Sequence, residues 1–249
     1  MMATDSLPQA LSIMGVPVVP FESYAHALAC IEARIAARRK TFCVAINPEK
    51  VYRAVRSGRL LSVLRQANIG ICDGTGVALA VRLLYGRTIT RCTGVDLFLE
   101  LLAASPKKGW KVFLLGASED ANARACDQLT RRHPGLRIAG RHHGYFDASE
   151  PVIERINASG ADLLFVALGS PRQEFWITQN RAAIEVPFCM GVGGTLDVAA
   201  GSVKRAPGLC RRTGTEFLYR LIRQPGRIRR QWTLPLFAFG VLRQALQRR

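Results

Sequence analysis

Short runs of apolar residues alternate along the chain with longer stretches in which apolar residues recur every three or four positions. The run TFCVAI at 41–46 shows the first pattern, and 22–38 shows the second. The first predicts strands buried on both faces of a sheet, and the second predicts amphipathic helices. We predict strands at 11–19, 41–46, 69–72, 110–116, 136–140, 163–168 and 186–191, and helices at 22–38, 48–58, 60–66, 77–85, 93–104, 118–132, 150–158 and 170–184.

This alternation with short connections predicts an α/β fold, with a Rossmann-like, largely parallel sheet and helices on both of its faces. We expect an α/β core over 1–203, with lobes at about 1–105 and 106–203. A basic helical appendage is expected to follow over 204–249.

The stretch ADLLFVALGSPRQEFW at 161–176 changes character within a few residues. An apolar run is followed by Ser170, a good helix N-cap, by Pro171, which suits the first helical position, and by Gln173. Corners of this kind hold anionic ligands in open α/β sheets. The alternative is that Ser170 and Gln173 form only a capping box.

Polar residues or glycines follow several of the predicted strands. They are Asn47, Asp73, Gln173, Gly191, Gly193 and Gly194. Because the carboxyl ends of parallel strands lie along one edge, these groups are expected to meet in one crevice. A carboxylate such as Asp73 could act there as a general base, or it could serve only as a turn or cap residue for the next helix.

The segment GVGGTLDVAAG at 191–201 offers backbone that a phosphate or a sugar could approach closely, with a short helix predicted from Thr195. Its glycine spacing does not match the dinucleotide fingerprint, and no Walker lysine follows. The sequence also has no Gly-x-Ser-x-Gly elbow and no Asp-x-Asp metal clamp. These absences disfavour NAD enzymes, P-loop NTPases and serine hydrolases, and we predict no metal site and no cofactor.

The formal net charge is +17, and eleven arginines and one lysine against one acid at 201–249 place most of the excess in the tail. These cations alternate with bulky apolar residues such as Trp232 and Phe239, which favours an anionic membrane surface as a partner. The apolar run 234–242 is too short to cross a bilayer. A non-catalytic nucleotide- or nucleic-acid-binding module is the alternative, although no recognisable nucleic-acid-binding motif supports it.

The seven cysteines are scattered without a C-x-x-C pair, and the N-terminus has no secretion signal. Both features favour reduced thiols in a cytoplasmic protein. Exposed apolar surface next to the tail would also permit a homo-oligomer.

Eight ordered motifs resemble the WecG/TagA/CpsF family of bacterial glycosyltransferases, from about residue 11 to 231. They are VAINPEK (44–50), CDGTGV (72–77), RCTGVDL (91–97), GYF (144–146), ALGSPRQE (167–174), MGVGGTLDV (190–198), VKRAP (203–207) and EFLYRLIRQPGRIRRQ (216–231). The VAIN and GSPRQE forms resemble the WecG branch, which transfers N-acetylmannosaminuronic acid.

The resemblance implies an inverting, metal-independent transfer of a sugar from a UDP donor to a polyprenyl-diphosphate-linked saccharide. N-acetylmannosaminuronic acid, N-acetylmannosamine and glucose are donor sugars in the family, and the reaction takes place at the cytoplasmic face of the membrane. Asp73 matches the family's proposed general base. Asn47 and Gln173 match polar groups of its pocket, and the positions that match residues near the nucleotide-sugar are Arg91, Tyr145, Gly191, Gly193, Gly194 and Asp197.

Arg220, Arg227 and Arg230 match arginines of the family's C-terminal appendage, which is thought to fold over the site and stabilise the departing UDP. Read without the resemblance, these arginines form a solvated basic tail. Ala45 departs from the teichoic-acid enzymes, which resemble this chain but carry a threonine there, and this bears on the choice of donor sugar.

Overall fold

The computed structural model describes residues 7–202 and 232–248. Eight strands are found there: β1 (Leu11–Ile13), β2 (Val16–Val18), β3 (Thr41–Ile46), β4 (Ile69–Cys72), β5 (Lys111–Gly116), β6 (Arg137–His142), β7 (Leu163–Ala167) and β8 (Phe188–Gly191). Ten helices are described: α1 (Tyr24–Ala36), α2 (Pro48–Arg56), α3 (Gly58–Arg65), α4 (Thr75–Tyr85), α5 (Gly94–Lys108), α6 (Glu119–Arg132), α7 (Glu150–Ala158), α8 (Arg172–Asn180), α9 (Thr195–Ala199) and α10 (Thr233–Gln247).

Strands β3 to β8 form one six-stranded sheet in the order β4-β3-β8-β7-β5-β6, and all of its pairings are parallel. The prediction of a parallel α/β sheet is therefore confirmed. Strand β8, the last of the described strands, lies between β3 and β7 near the middle of the sheet. The glycine-rich segment that follows β8 is thereby placed among the ends of the other strands.

Two apolar clusters cover the two faces of the sheet. Alternate residues of β3 divide between them, with Phe42, Val44 and Ile46 in one and Cys43 and Ala45 in the other. Helices α2, α3, α4, α7, α8 and α10 contribute to the first cluster, and α1, α5, α6 and α9 contribute to the second. Because successive side chains of a strand point to opposite faces, this division shows helices packed on both sides.

The single strand predicted at 11–19 is wrong, because this segment folds back on itself as the antiparallel hairpin β1-β2. Met14 and Gly15, with φ of 50° and 85°, form its two-residue turn. Two positive φ values in succession suit the tight turns that join twisted antiparallel strands. The hairpin packs on the sheet where Gly70 in β4 lacks a side chain: a Cβ there would lie 2.2 Å from the Pro17 carbonyl oxygen.

Helix α10 packs against α2 and α4, and its Phe237 and Val241 are buried in the first apolar cluster. Pro235 is in its first turn, where the missing N–H costs little. Gly240 permits a close approach to the hairpin, since a Cβ there would lie 2.4 Å from Met14 Cε. Gln244 completes this contact by accepting a hydrogen bond of 2.7 Å from the Met14 amide. The sequence pattern did not anticipate that the tail helix contributes to the core.

Candidate active site

Asn47 and Asp73 are neighbours at one edge of the sheet. Each follows the last residue of its strand, and Ile46 and Cys72 are register partners in the β3-β4 pair. The Asp73 amide donates a hydrogen bond of 2.8 Å to the Ile46 carbonyl, which extends this pairing by one residue. Asn47 also caps α2, because its Oδ1 accepts from the Lys50 amide at 2.8 Å. The side-chain oxygen of Asn47 is thus already used by the helix.

The half-buried Asp73 carboxyl lies near the first residue of α5. A Cβ at Gly94 would lie 3.1 Å from Ala45 Cβ, 3.8 Å from Met190 Cε and 4.0 Å from Asp73 Oδ2. The missing side chain of Gly94 therefore lets α5 begin close above β3 and β8. Ala45, the position that departs from the teichoic-acid pattern, and the Asp73 carboxyl thus lie beside the same bare backbone position.

Arg91 and Asp73 shift the pKa of the Cys72 thiol in opposite directions. Burial and, to a smaller extent, the Asp73 carboxylate raise the pKa of Cys72 to about 12, against the opposing effect of the Arg91 guanidinium. Burial, together with Asp73, also raises the pKa of Cys92. Both thiols are consequently protonated at neutral pH, which argues against a cysteine nucleophile here.

Tyr24 of α1 fixes the backbone around Arg91. Its hydroxyl donates a hydrogen bond of 3.2 Å to the Arg91 carbonyl and accepts one of 2.9 Å from the Thr93 amide. Thr93 in turn caps α5, with its hydroxyl oxygen accepting from the Asp96 amide at 3.2 Å. Burial raises the pKa of Tyr24 to about 12. The segment that carries Arg91 is therefore held between two helices.

The expected N-cap at Ser170 is wrong, and the alternative capping box between Ser170 and Gln173 does not form either. The N-cap of α8 is Pro171, which makes no side-chain cap hydrogen bond, and the Ser170-Pro171 peptide is cis. The buried Gln173 side chain points instead toward β8, where its Oε1 accepts a hydrogen bond of 2.9 Å from the Gly193 amide. Gln173 therefore joins the end of β7 to the end of β8 rather than closing its own helix.

The glycines after β8 make room for this contact. A Cβ at Gly191 would lie 2.6 Å from Gln173 Nε2. Gly193 has φ of 54° and open space where a side chain would be, so its backbone can be approached from outside. At Gly194 a Cβ would lie 3.6 Å from Asp197 Oδ2, which places this carboxyl beside the glycine segment.

Asp73 and Gln173 approach the end of β8 from opposite faces of the sheet. Asp73 lies on the side of Met190, and Gln173 occupies the space beside Gly191. Met190 and Gly191 are consecutive in β8, so their side-chain directions are opposite. The two predicted site residues thus flank one strand end.

The sequence pattern did not predict a buried ion pair that lies next to Gln173. Lys50 Nζ lies 2.6 Å from Glu174 Oε1, and the two side chains are 6% and 0% exposed. Both residues belong to quoted motifs, NPEK and GSPRQE, but charged residues in those positions resemble an ordinary solvated helix start. Only the packing of α8 against α3 and the sheet reveals the pair.

Tyr145 is not placed beside Asp73. It is 73% exposed in the loop after β6, and β6 and β4 are the two outer strands of the sheet. With neighbouring strands spaced by about 4.8 Å, five spacings correspond to about 24 Å. The loop turns back toward β5, since the Gly144 amide donates to the Ala117 carbonyl at 2.8 Å. Arg220, Arg227 and Arg230 lie outside the described residues.

Within residues 7–202 and 232–248, no cluster of three or more histidine, cysteine, aspartate or glutamate side chains is arranged to hold a metal ion. In the same ranges every helix is too short or too polar to cross a membrane.

Comparisons with known proteins agree on the family. A model of the glycosyl transferase WecG/TagA/CpsF family matches residues 11–249. The N-acetylglucosaminyldiphosphoundecaprenol N-acetyl-β-D-mannosaminyltransferase of Bacillus spizizenii is 37% identical over 202 residues, covering 81% of this chain and 79% of the relative. The protein of the same name from Bacillus subtilis is 36% identical over 199 residues, covering 80% of this chain and 78% of the relative. With motifs, parallel fold and comparisons in agreement, this chain belongs to the WecG/TagA/CpsF family of glycosyltransferases.

Proposed function

We propose that the chain transfers an N-acetylmannosamine-type sugar from a UDP donor to a polyprenyl-diphosphate-linked N-acetylglucosamine, with inversion and without a metal ion. The names of the two Bacillus relatives support the sugar class and the acceptor. The observation that supports the proposal best is the position of the Asp73 carboxyl, at the end of β4 and beside the first residue of α5, where a Cβ at Gly94 would lie 4.0 Å from Asp73 Oδ2. Ligands of open parallel sheets bind at this edge.

In the proposed reaction Asp73 accepts the proton of the acceptor hydroxyl while the hydroxyl oxygen attacks the anomeric carbon. The new glycosidic bond forms as the bond from the anomeric carbon to the UDP oxygen breaks, and UDP leaves with that electron pair. Attack from the face opposite to the leaving group inverts the anomeric centre. Gln173 and the 191–194 segment are proposed to line the other side of the donor site.

The charge of the departing diphosphate requires compensation, since no metal is invoked. Arg91, which like Asp73 is close enough to shift the pKa of Cys72, is proposed to face the donor. Arg220, Arg227 and Arg230 are proposed to complete the site from the C-terminal segment, whose structure lies outside the described ranges.

We further propose that α10 docks on an anionic membrane surface. Its large exposed apolar side chains form a stripe opposite the buried Phe237 and Val241. They are Trp232, which precedes the helix, and Leu236, Phe239, Leu242 and Leu246. The neighbouring α4 exposes Leu79 and Leu83, so apolar surface continues beyond α10. Exposed apolar surface of this extent, in a strongly basic chain, suits an interface with anionic lipid.

Docking through α10 would place the site close to the lipid. Phe237 Cε1 would lie 3.8 Å from a Cβ at Gly76, in the first turn of α4, and Asp73 is three residues before Gly76. An acceptor whose lipid remains in the membrane could then reach Asp73 with its sugar. We therefore propose peripheral attachment of the chain at the inner face of the membrane, where the family resemblance puts the reaction.

The proposed activity is tested by incubating the protein with UDP-N-acetylmannosamine, UDP-N-acetylmannosaminuronic acid or UDP-glucose and a lipid-diphosphate N-acetylglucosamine. Mass spectrometry identifies the transferred sugar, the anomeric proton coupling reports inversion, and a chelator tests the independence from metal. No product with any donor would reject the proposal. Binding to anionic vesicles compared with duplex DNA at equal salt tests the membrane proposal, and preference for DNA would contradict it.

A further inference from the structure

The buried Lys50–Glu174 ion pair has features that stability alone does not explain. Removing two charges from water costs several kcal/mol per ion, and a buried pair often contributes less than apolar side chains of similar volume. Glu174 Oε2 is buried and has no hydrogen-bond partner among the described residues, which adds to that cost. The presence of a buried pair at this cost suggests that it positions a neighbouring group.

The group that the pair contacts is the amide of Gln173. Glu174 Oε1 accepts from both Lys50 Nζ, at 2.6 Å, and Gln173 Nε2, at 3.1 Å. Gln173 Oε1 then accepts from the Gly193 amide at 2.9 Å. A carboxylate can accept only from the nitrogen end of an amide, and a backbone N–H can donate only to its oxygen end. The orientation of the Gln173 amide is therefore fixed at both ends.

These contacts connect the ends of three neighbouring strands. Lys50 is in the first turn of α2 after β3, Gln173 and Glu174 are in the first turn of α8 after β7, and Gly193 follows β8. The Lys50 amide is also held by Asn47 Oδ1. A shift of the ion pair would thus be transmitted to the glycine segment and to the cap of α2.

We propose that Glu174, whose buried charge Lys50 balances, is a positioning residue that holds the Gln173 amide and the 191–194 segment in the geometry needed for sugar transfer. This inference rests on the proposed function of the same edge of the sheet. Both side chains are buried, and Glu174 acts through Gln173 without touching the substrate.

Two double variants separate this role from a structural one. Lys50→Met with Glu174→Gln removes both charges but keeps an oxygen that can accept from Gln173. Lys50→Met with Glu174→Leu removes the charges and the acceptor. Both variants are expected to fold, since replacing a buried pair is often neutral or stabilising. We expect the first double variant to keep kcat within about threefold of the wild type, and the second to lose about 10-fold or more in kcat with little change in donor KM.

The rate of hydrogen exchange at the Gly193 amide is measured without any substrate. If the ion pair had only a structural role, this rate would be the same in both double variants. Loss of the Gln173 orientation in the Lys50→Met, Glu174→Leu protein should speed this exchange by about 10-fold, whereas the Lys50→Met, Glu174→Gln protein should match the wild type. This measurement remains informative if the wild-type protein transfers no sugar, which would reject the proposed function alone.

Equal kcat and equal Gly193 exchange in the two double variants would overturn the proposal. An equal loss of kcat in both would also overturn it, because the charges themselves would then matter rather than the acceptor for Gln173. Absence of a cooperative thermal transition in both would assign the pair to folding and would overturn the positioning role as well.

Discussion

Gln173 Oε1 accepts a hydrogen bond of 2.9 Å from the Gly193 amide, twenty residues further along the chain. This bond joins the first turn of α8 to the segment after β8, and a side chain at Gly191 would displace it. The proposed donor site therefore depends on a contact between two strand ends, and a small change at either end is expected to alter it.

Asp73→Asn tests the proposed general base. The amide keeps the shape of the side chain but cannot take the proton of the acceptor hydroxyl. Transfer should fall by about 10²- to 10⁴-fold, and the affinity for the UDP-sugar, measured by calorimetry, should change little. Asp127→Asn, at an exposed position of α6, is the matched control and should leave both quantities unchanged. Wild-type turnover of the Asp73→Asn protein would reject the assignment.

Gly191→Ala tests the space beside Gln173. The new Cβ would lie 2.6 Å from Gln173 Nε2, so the amide must move away from its present hydrogen bonds. We expect kcat to fall by about 10- to 100-fold, because misplacement of site groups by about 1 Å has effects of this size. The Gln173 side chain can rotate, so unfolding in urea should show a loss below about 2 kcal/mol.

Gly58→Ala is the control for that substitution. A Cβ at Gly58, the first residue of α3, would meet nothing within 4 Å. Alanine restricts the unfolded chain and suits a helix, so stability should rise by up to about 1 kcal/mol with unchanged transfer. If Gly191→Ala behaved like Gly58→Ala, the glycine would have no role in shaping the site.

Phe239 and Phe237 are two residues apart in α10. We expect substitution of Phe239 to weaken membrane binding, and substitution of Phe237 to weaken the fold. Phe239 is 69% exposed and Phe237 is 5% exposed. Phe239→Ser should weaken binding to anionic vesicles by about 10-fold or more, because burial of a phenylalanine side chain contributes about 1.5–3 kcal/mol. The melting temperature of the Phe239→Ser protein should equal that of the wild type.

Phe237→Ala should instead destabilise the fold by about 3 kcal/mol, since it opens a cavity between α10, α2 and α4. Vesicle sedimentation and thermal unfolding of both proteins make the comparison. Unchanged vesicle binding by Phe239→Ser would contradict docking through this face of α10, and sedimentation equilibrium would then test whether the same face joins two copies of the chain.

The raised pKa of Tyr24 predicts that the folded protein loses stability at alkaline pH. Burial raises its pKa from 10.0 to about 12, so the folded protein favours the neutral phenol. The stability that this preference contributes is complete below pH 10 and is lost as the pH rises through about 12. Tyr24→Phe removes this dependence together with the hydrogen bonds to Arg91 and Thr93.

Urea unfolding from pH 8 to pH 12 compares the two proteins. Wild type should be more stable at pH 8 by about 1–2 kcal/mol, the contribution of two partly exposed hydrogen bonds, and this advantage should shrink above pH 10. A constant difference between wild type and Tyr24→Phe up to pH 12 would show that ionisation of Tyr24 is not coupled to folding.

The sequence alone determined the elements whose signals are local. The buried runs of β3 and β4 and the cap of α6 at Ser118 are where apolar pattern and N-cap chemistry predicted them, and the Ser118 hydroxyl oxygen accepts from the Ala121 amide. Eight motifs also identified the family. These features depend on side-chain periodicity and on contacts within a few residues, and both can be read from the sequence of one segment.

Only the tertiary structure decided the contacts between residues far apart in sequence. It directed the Gln173 side chain toward Gly193 rather than into the alternative capping box, formed a hairpin from the expected single strand at 11–19, and buried the Lys50–Glu174 pair. It also gave α10 a buried face and an exposed apolar face. The physical reason is that each outcome depends on what lies opposite a side chain once the sheet has formed, and periodicity along one segment carries no information about the opposing surface.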